Sequence, residues 1–344
     1  MPGYIVMTSK RAKPPKDTDY LFLSAYVRAK ETRLIGRSAL ERMLDARGSD
    51  GAARIIEEVW GVKIGSDTLN ANELETILSA HRRAILADML KLSPNKKIVE
   101  FFCLKYDYHN AKTLVKARAA DVQGEHLLQD CGRVDLAKLK TAFLLGDFRS
   151  LPLTLANAVT EASEVLAQSG EPGLADFILD KAYFAELAEY AAATRSEFLI
   201  NYMRLVIDTA NLRAVVRAIR GGADYTPALA DGGSVEVRRI LAAKRGDTAG
   251  ITAMYRNTEL APVLDAAVTA ASEGSLTEFE RLCDNVLVRY LSQARRTGFS
   301  EKPLIAYLGA VESEISAVRT VMTGQLAGIP ADTIRTRLRE AYRE

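Results

Sequence analysis

The feature that most constrains the fold of this 344-residue chain is an internal repeat. The stretches at 93–119 and 194–220 align without a gap at an offset of 101 residues. Three polar pairs coincide in this alignment: Asp107 with Asp208, Asn110 with Asn211, and Lys112 with Arg213. A repeat of about 100 residues is too long for a solenoid unit, so each copy can bury a small core of its own.

A third copy of the motif lies at 300–321, where Glu314 takes the place of the two aspartates. Arg319 stands at the position of Lys112 and Arg213, whereas Ala317 replaces the asparagine. A Ser or Thr stands 14 residues before each acid: Ser93, Thr194 and Ser300. Such a residue is a natural helix N-cap, because its side chain accepts hydrogen bonds from free N–H groups of the first turn. The spacing therefore predicts that a long helix begins at each of these three residues.

The apolar pattern is helical along the chain. Between 198 and 219 the apolar residues are too dense for a surface helix with one buried face, which predicts a helix buried on most sides. No alternating pattern bounded by hairpin turns indicates strands. The sequence therefore predicts an all-α protein with three similar helical lobes, and such lobes can close around a pseudo-threefold axis into a ring, a cup or a funnel. We expect lobes at 19–121, 122–222 and 223–344, after a basic flexible leader at 1–18.

Charge and composition exclude several classes of protein. The net charge of +2 gives no field that favours nucleic acid, and no aromatic residues interleave with the Lys and Arg residues as in a nucleic-acid groove. The three cysteines are far apart, which fits a reducing cytoplasm. The first residues lack the apolar core of a signal peptide, and no run of about 18 apolar residues could cross a bilayer. We therefore expect no nucleic-acid partner and no transmembrane segment.

Catalytic chemistry finds little support in the sequence. A P-loop, a G-x-S-x-G elbow and a G-x-G-x-x-G turn are absent. His109 beside Asp107 comes nearest to a metal-dependent hydrolase site, but Ala210 stands at the position of His109 in the second copy. We expect no catalytic residue, no metal and no cofactor.

Five stretches of the chain together resemble a known family. They are AYVRAKETRLI from Ala25, YDYHNAKTLVKAR from Tyr106, LDKAYFAEL from Leu179, YMRLVIDTANLRAVVRA from Tyr202 and YLGAVESEISAVRTVMTGQLAGIP from Tyr307. In this order they resemble the C subunit of the archaeal and bacterial A/V-type ATP synthases, which corresponds to the d subunit of the eukaryotic vacuolar ATPase. The resemblance runs from about residue 19 to 344, and the basic leader 1–18 is a departure from it.

The resemblance implies a non-catalytic, three-lobed, all-α funnel that works as a rotor adaptor. Such a protein holds the foot of the central shaft, made of the D and F subunits, and rests on the membrane-embedded rotor ring of proteolipid subunits. It implies a location in the cytoplasm, peripheral on the inner face of the cell membrane, and a monomer within the complex. The ion-binding sites belong to the ring in this family. The alternative hypothesis is a soluble helical adaptor of another kind, which binds helices or peptides in a cup.

Eight repeated polar residues are the candidate functional positions: Asp107, Asn110, Lys112, Asp208, Asn211, Arg213, Glu314 and Arg319. In a funnel they either brace the lobes against one another or border the socket for the shaft. We favour bracing, because buried polar groups in proteins nearly always have hydrogen-bond partners within the fold.

Overall fold

The computed structural model of the protein describes residues 15–64, 69–244 and 246–343. Within these ranges the chain is all-α without a strand, which confirms the predicted fold class. Fifteen α-helices follow one another in the described residues: α1 (Leu21–Glu31), α2 (Arg37–Asp45), α3 (Gly48–Trp60), α4 (Ala71–Leu92), α5 (Lys96–Ala119), α6 (Leu136–Leu145), α7 (Leu153–Ser169), α8 (Pro172–Thr194), α9 (Glu197–Gly221), α10 (Val237–Ala242), α11 (Thr248–Ala253), α12 (Leu264–Ser272), α13 (Leu276–Ser292), α14 (Glu301–Leu326) and α15 (Ala331–Arg337).

The predicted basic leader falls mostly outside this description. Residues 1–14, which include Lys10, Arg11 and Lys13, lie outside the described residues. The last part of the leader enters a short 3-10 turn at Asp17–Tyr20, which runs directly into α1.

Three pairs of long helices carry the repeated motif: α4 with α5, α8 with α9, and α13 with α14. The second helix of each pair packs against the first helix of the next pair, so α5 contacts α8, α9 contacts α13, and α14 contacts α4. The helix α14 has buried residues on all sides, from Leu304 to Met322, as expected for a helix covered by several neighbours. The contacts among the three pairs therefore run in a closed order.

The predicted helix starts are right at one position and wrong at two. Ser300 is the N-cap of α14 and accepts a hydrogen bond from the Lys302 N–H at 3.1 Å. In the other two copies the N-caps are Asn95 and Ser196, two residues later than predicted. Ser93 instead ends α4 as its C-cap, and its hydroxyl donates to the Asn95 carbonyl at 2.8 Å and accepts from the Asn95 N–H at 3.2 Å. Thr194 still belongs to α8, and the left-handed backbone of the next residue, with φ of 60°, keeps α9 from starting earlier.

The two ends of the chain share one core. The helices α1, α2 and α3 all pack against α14, and α15 packs against α2, α13 and α14. Hydrogen bonds join these segments: Ser24 Oγ donates to the Ser300 carbonyl at 3.2 Å, and Gln325 Nε2 donates to the Met43 carbonyl at 2.6 Å. The N-terminal helices therefore complete the surroundings of the last long helix.

Candidate functional site

The aspartates of the first two copies hold the loop that follows their own helix pair. Asp107 accepts a hydrogen bond from the Val134 N–H at 3.0 Å and pairs with Arg133 Nε at 2.9 Å. Asp208 accepts from the N–H groups of Ser234 at 2.9 Å and Val235 at 3.2 Å. Both carboxylates are buried. In each copy the valine that donates to the carboxylate lies 27 residues after the aspartate.

The glycines repeated in these two loops are explained by the same contacts. A Cβ atom at Gly132 would lie 2.1 Å from Oδ1 of Asp107, and a Cβ atom at Gly233 would lie 2.2 Å from Oδ1 of Asp208. Only a residue without a side chain lets the loop backbone come this close to the carboxylate. The shared glycine is therefore part of the acid-binding loop.

The asparagines clamp a backbone segment a few residues earlier in the same loops. Asn110 donates from Nδ2 to the Gln129 carbonyl and accepts at Oδ1 from the Gln129 N–H, both at 2.8 Å. Asn211 makes the same two bonds with Ala230, again at 2.8 Å. A side-chain amide is suited to this position because it has both a donor and an acceptor.

Replacement of Asn211 by alanine should lower the free energy of unfolding by about 3 kcal/mol, because it leaves a buried N–H and a buried carbonyl of Ala230 without partners. Urea denaturation followed by circular dichroism measures the change. Asn201→Ala is the matched control, since Asn201 is exposed on the same helix, and it should cost less than about 0.5 kcal/mol. Equal losses for both variants would contradict the clamp.

The cationic members of the motif reach the neighbouring helix pair. Lys112 Nζ lies 2.6 Å from Oδ1 of Asp180, and Arg213 Nη2 lies 2.6 Å from Oδ1 of Asp284. In the third copy Arg319 donates from Nε to Oε1 of Glu75 and from Nη2 to Oε2 of Glu75, the second at 2.9 Å. The three ion pairs join α5 to α8, α9 to α13, and α14 to α4.

Glu314 differs from the two aspartates in where its partners come from. Its Oε1 accepts hydrogen bonds from the Ile35 N–H at 2.6 Å and from Trp60 Nε1 at 2.8 Å. Ile35 thus plays the part of Val134 and Val235, although it lies at the other end of the chain. The residue two positions before Ile35 is Arg33, where the other two loops have glycine.

Burial sets the pKa of these acids. It raises the pKa of Asp107 to about 6, although the hydrogen bond from Val134 and the charge of Arg133 act to lower it. Burial also raises the pKa of Asp208, against two backbone N–H donors. It raises the pKa of Glu314 to about 7, and only the uncharged donors of Ile35 and Trp60 oppose it. Glu314 is therefore the acid whose charge is least compensated.

A cavity of about 1130 Å³ lies between the helix pairs. Residues of α4, α5, α9, α13 and α14 line it together with the segment at 126–130. Among the eight repeated polar residues, Arg319 lines this cavity and the other seven do not. The charged residues on its wall include Glu75, Arg82, Lys105, Asp284, Glu312 and Arg339.

The cavity wall also carries a cluster of charged residues that the sequence analysis did not identify. Glu312 pairs with Lys105 Nζ at 2.6 Å, accepts from the Tyr106 hydroxyl at 2.5 Å, and has Arg82 Nε at 3.4 Å. The Arg82 guanidinium also lies over the Tyr106 ring, 4.9 Å from its centre. Lys105 and Glu312 stand two residues before the aligned acids of the first and third copies, so the repeat alignment already contained this signal.

His109, the other member of the hypothetical hydrolase site, has a local partner. Its Nε2 lies 3.1 Å from the Leu127 carbonyl, whereas Asp107 pairs with Arg133. Across 15–64, 69–244 and 246–343, no three His, Cys, Asp or Glu side chains are grouped as a metal site needs.

None of the helices in the described part of the chain combines the length and the apolar character that a membrane span requires.

Known proteins match the chain over most of its length. The sequence profile of the family described as ATP synthase (C/AC39) subunit matches residues 23–337. The C subunit of the V-type sodium ATPase of Enterococcus hirae is 24% identical over 327 residues, which cover 94% of this chain and 99% of that protein. The C subunit of the A-type ATP synthase of Methanocaldococcus jannaschii is 21% identical over 352 residues, with 93% and 86% covered. That of Haloferax volcanii is 21% identical over 338 residues, with 92% and 96% covered.

Proposed function

Since the chain belongs to the ATP synthase (C/AC39) subunit family, we propose that it links the central shaft of a V/A-type rotary ATPase to the membrane rotor ring. Members of this family are structural and not catalytic components. In this role the chain sits on the cytoplasmic face of the membrane as one copy per complex. It holds the D and F subunits of the shaft on one side, contacts the proteolipid ring on the other, and transmits torque between them.

The closed order of helix contacts supports the three-lobed funnel. Each of the three pairs touches the next, and the third returns to the first through α14 and α4. The proposed boundaries after residues 121 and 222 fall just behind the ends of α5 and α9. A ring of three similar units offers a central space to a narrow shaft and a broad base to a ring, which suits partners of different width.

The eight repeated residues act as braces in this proposal. Seven of them make hydrogen bonds or ion pairs within the chain and lie away from the cavity wall, which supports bracing over a socket border. Arg319 has both roles, because its ion pair with Glu75 joins α14 to α4 and both residues line the cavity.

The cavity is the proposed socket for the foot of the shaft. Its wall carries charges of both signs, with Lys105 paired to Glu312 and Arg339 paired to Asp284. Charged groups at an interface fix orientation and on-rate more than affinity, and a rotor joint that assembles and disassembles needs such a polar contact.

The direct test mixes the chain with purified D and F subunits, and separately with detergent-solubilised rotor ring, on a size-exclusion column. We expect co-elution with both partners at low and moderate salt. Co-elution with neither would overturn the linking role and leave the generic helical adaptor as the better hypothesis.

A tryptophan at Thr76 should block the socket without disturbing the core. Thr76 is exposed, lines the cavity, and donates its hydroxyl to the Asn72 carbonyl at 2.9 Å. Thr76→Trp should weaken co-elution with D and F at least tenfold and leave ring binding intact. The matched control is Thr160→Trp on α7, an exposed threonine away from the cavity with the same kind of hydroxyl bond, also 2.9 Å. Unchanged shaft binding by Thr76→Trp would show that the cavity is not the socket.

A further inference from the structure

Glu314 lies at the junction where the two ends of the chain meet. Its Oε1 takes the N–H groups of Ile35 and Trp60, which are 279 and 254 residues away along the chain. Its Oε2 is buried and has no hydrogen-bond partner among the described residues. The Nε2 atom of His81 lies 4.0 Å from this oxygen.

The imidazole of His81 is fixed in place by the same tryptophan that binds the carboxyl group. The rings of His81 and Trp60 are stacked, with their centres 3.7 Å apart and their planes 7° from parallel. Trp60 thereby holds Oε1 with its indole N–H and supports the imidazole with its face. The carboxyl group, the indole and the imidazole form one largely buried cluster between α3, α4 and α14.

Among the residues that the structure describes, no cation offsets a negative charge on Glu314. In Asp107 and Asp208, by contrast, both carboxylate oxygens accept hydrogen bonds from loop donors. The titratable and charged groups that face Glu314 and His81 are Lys30, Arg82 and Tyr307, with Glu340, Tyr342 and Arg343 around a small adjoining cavity. The cations in this set have other partners: Lys30 lies over the Tyr26 ring, Arg82 pairs with Glu312, and Arg343 donates to the Thr32 carbonyl.

A buried carboxylate without a cation is costly, and the neutral acid avoids that cost if its proton finds an acceptor. Burial raises the pKa of Glu314 to about 7. Burial, together with the charges of Arg82 and Lys30, lowers the pKa of His81 to about 4. The imidazole of His81 is therefore uncharged above about pH 4, and the carboxyl group of Glu314 holds a proton below about pH 7.

We propose that Glu314 carries a proton on the side that faces His81, and that this proton makes the contact between the first and last helices a pH-sensitive latch. The inference goes beyond the linking role, because it concerns how the chain closes on itself and does not depend on any partner. With the proton bound, Oε1 still accepts from Ile35 and Trp60, and the unpartnered Oε2 carries no charge. Loss of the proton leaves an uncompensated negative charge on Glu314, which weakens the contact of α14 with α3 and with the segment before α2.

The sign of the effect follows from the proton count. The folded chain binds more protons at Glu314 than the unfolded chain between the ordinary pKa near 4.5 and the raised pKa near 7. The stabilising contribution of the latch is therefore complete below about 4.5 and is lost as the pH rises through about 7. Burial lowers the pKa of His81 from 6.5 to about 4, so between these values the folded chain binds fewer protons at His81 and the effect on stability has the opposite sign. The effect of Glu314 is therefore seen alone above about pH 6.5.

Trp60 is the only tryptophan of the chain, so its fluorescence reports on the latch directly. Titration of the intact protein from pH 5.5 to 9 should give a change in Trp60 emission with a midpoint near pH 7. Glu314→Gln should abolish this transition, because the amide keeps an acceptor for Ile35 and Trp60 and cannot ionise. Asp208→Asn is the matched control from the second copy and should leave the midpoint in place. A flat wild-type titration, or the same midpoint in Glu314→Gln, overturns the proposal.

A second measurement needs no variant and holds even if Glu314→Gln fails to fold. In wild-type protein labelled with carbon-13 at the side-chain carboxyl of glutamate alone, one carboxyl resonance should titrate with a midpoint near pH 7. The aspartates, including Asp107, are silent in this experiment. Absence of any glutamate resonance that titrates above about pH 6 would contradict the latch.

Discussion

Reversal of the charge at Arg213 should lower the free energy of unfolding by about 3 kcal/mol while leaving binding to the shaft subunits intact at temperatures where the variant is folded. Arg213 Nη2 contacts Oδ1 of Asp284 at 2.6 Å and the Glu280 carbonyl at 2.7 Å. In Arg213→Glu a carboxylate meets the carboxylate of Asp284, whose side chain is 17% exposed, so repulsion is added to the loss of the ion pair. Because both side chains keep some contact with water, the loss lies near the lower end of the range for buried pairs.

The next turn of the same helix supplies the control. Arg217 pairs with Glu280 across the same two helices, but its side chain is 57% exposed. Arg217→Glu should cost about 1 kcal/mol or less, since exposed ion pairs contribute little. Urea denaturation compares the two variants, and size-exclusion chromatography with D and F measures binding. A stable Arg213→Glu variant that no longer bound the shaft would show that this position belongs to the partner interface.

Replacement of Gly233 by alanine should lower the free energy of unfolding by about 2 to 3 kcal/mol. The new Cβ atom would lie 2.2 Å from Oδ1 of Asp208 and 3.4 Å from Cγ2 of Ile207. Either the loop moves away from the buried carboxylate, and the N–H groups of Ser234 and Val235 lose their acceptor, or α9 shifts within the core. Neither change is available without loss of packing or hydrogen bonds.

Gly173 in the first turn of α8 is the matched control for this substitution. A Cβ atom there meets no atom within 4 Å, and its backbone is helical. Gly173→Ala should be neutral or should stabilise the protein by up to about 1 kcal/mol, because alanine favours helix. The midpoints of urea denaturation of Gly233→Ala, Gly173→Ala and the wild type measure these differences. If both alanine variants matched the wild type, the close approach of loop and carboxylate would have no energetic role.

Much of the site is visible in the repeat alone. Alignment of the copies identifies the acids, the asparagines and the cations, and it also pairs Gly132 with Gly233 and Val134 with Val235. The alignment does not reveal that the repeated acids bind the repeated loops, as Asp107 binds Val134 and Asp208 binds Val235. The reason is that an alignment compares equivalent positions in different copies, whereas the contacts join different positions within one copy.

The sequence by itself determined the helical class, the repeated polar positions and the family, because helical periodicity and motif order are local properties of the chain. Only the tertiary structure decided which residues meet across long separations. It gave Glu314 partners from α3 and the segment before α2, and it joined Lys105 to Glu312 across 207 residues. It also moved two of the three N-caps by two residues, since the turn between two packed helices is set by how those helices meet. Such contacts depend on the closure of the whole chain, and no local pattern of residues encodes them.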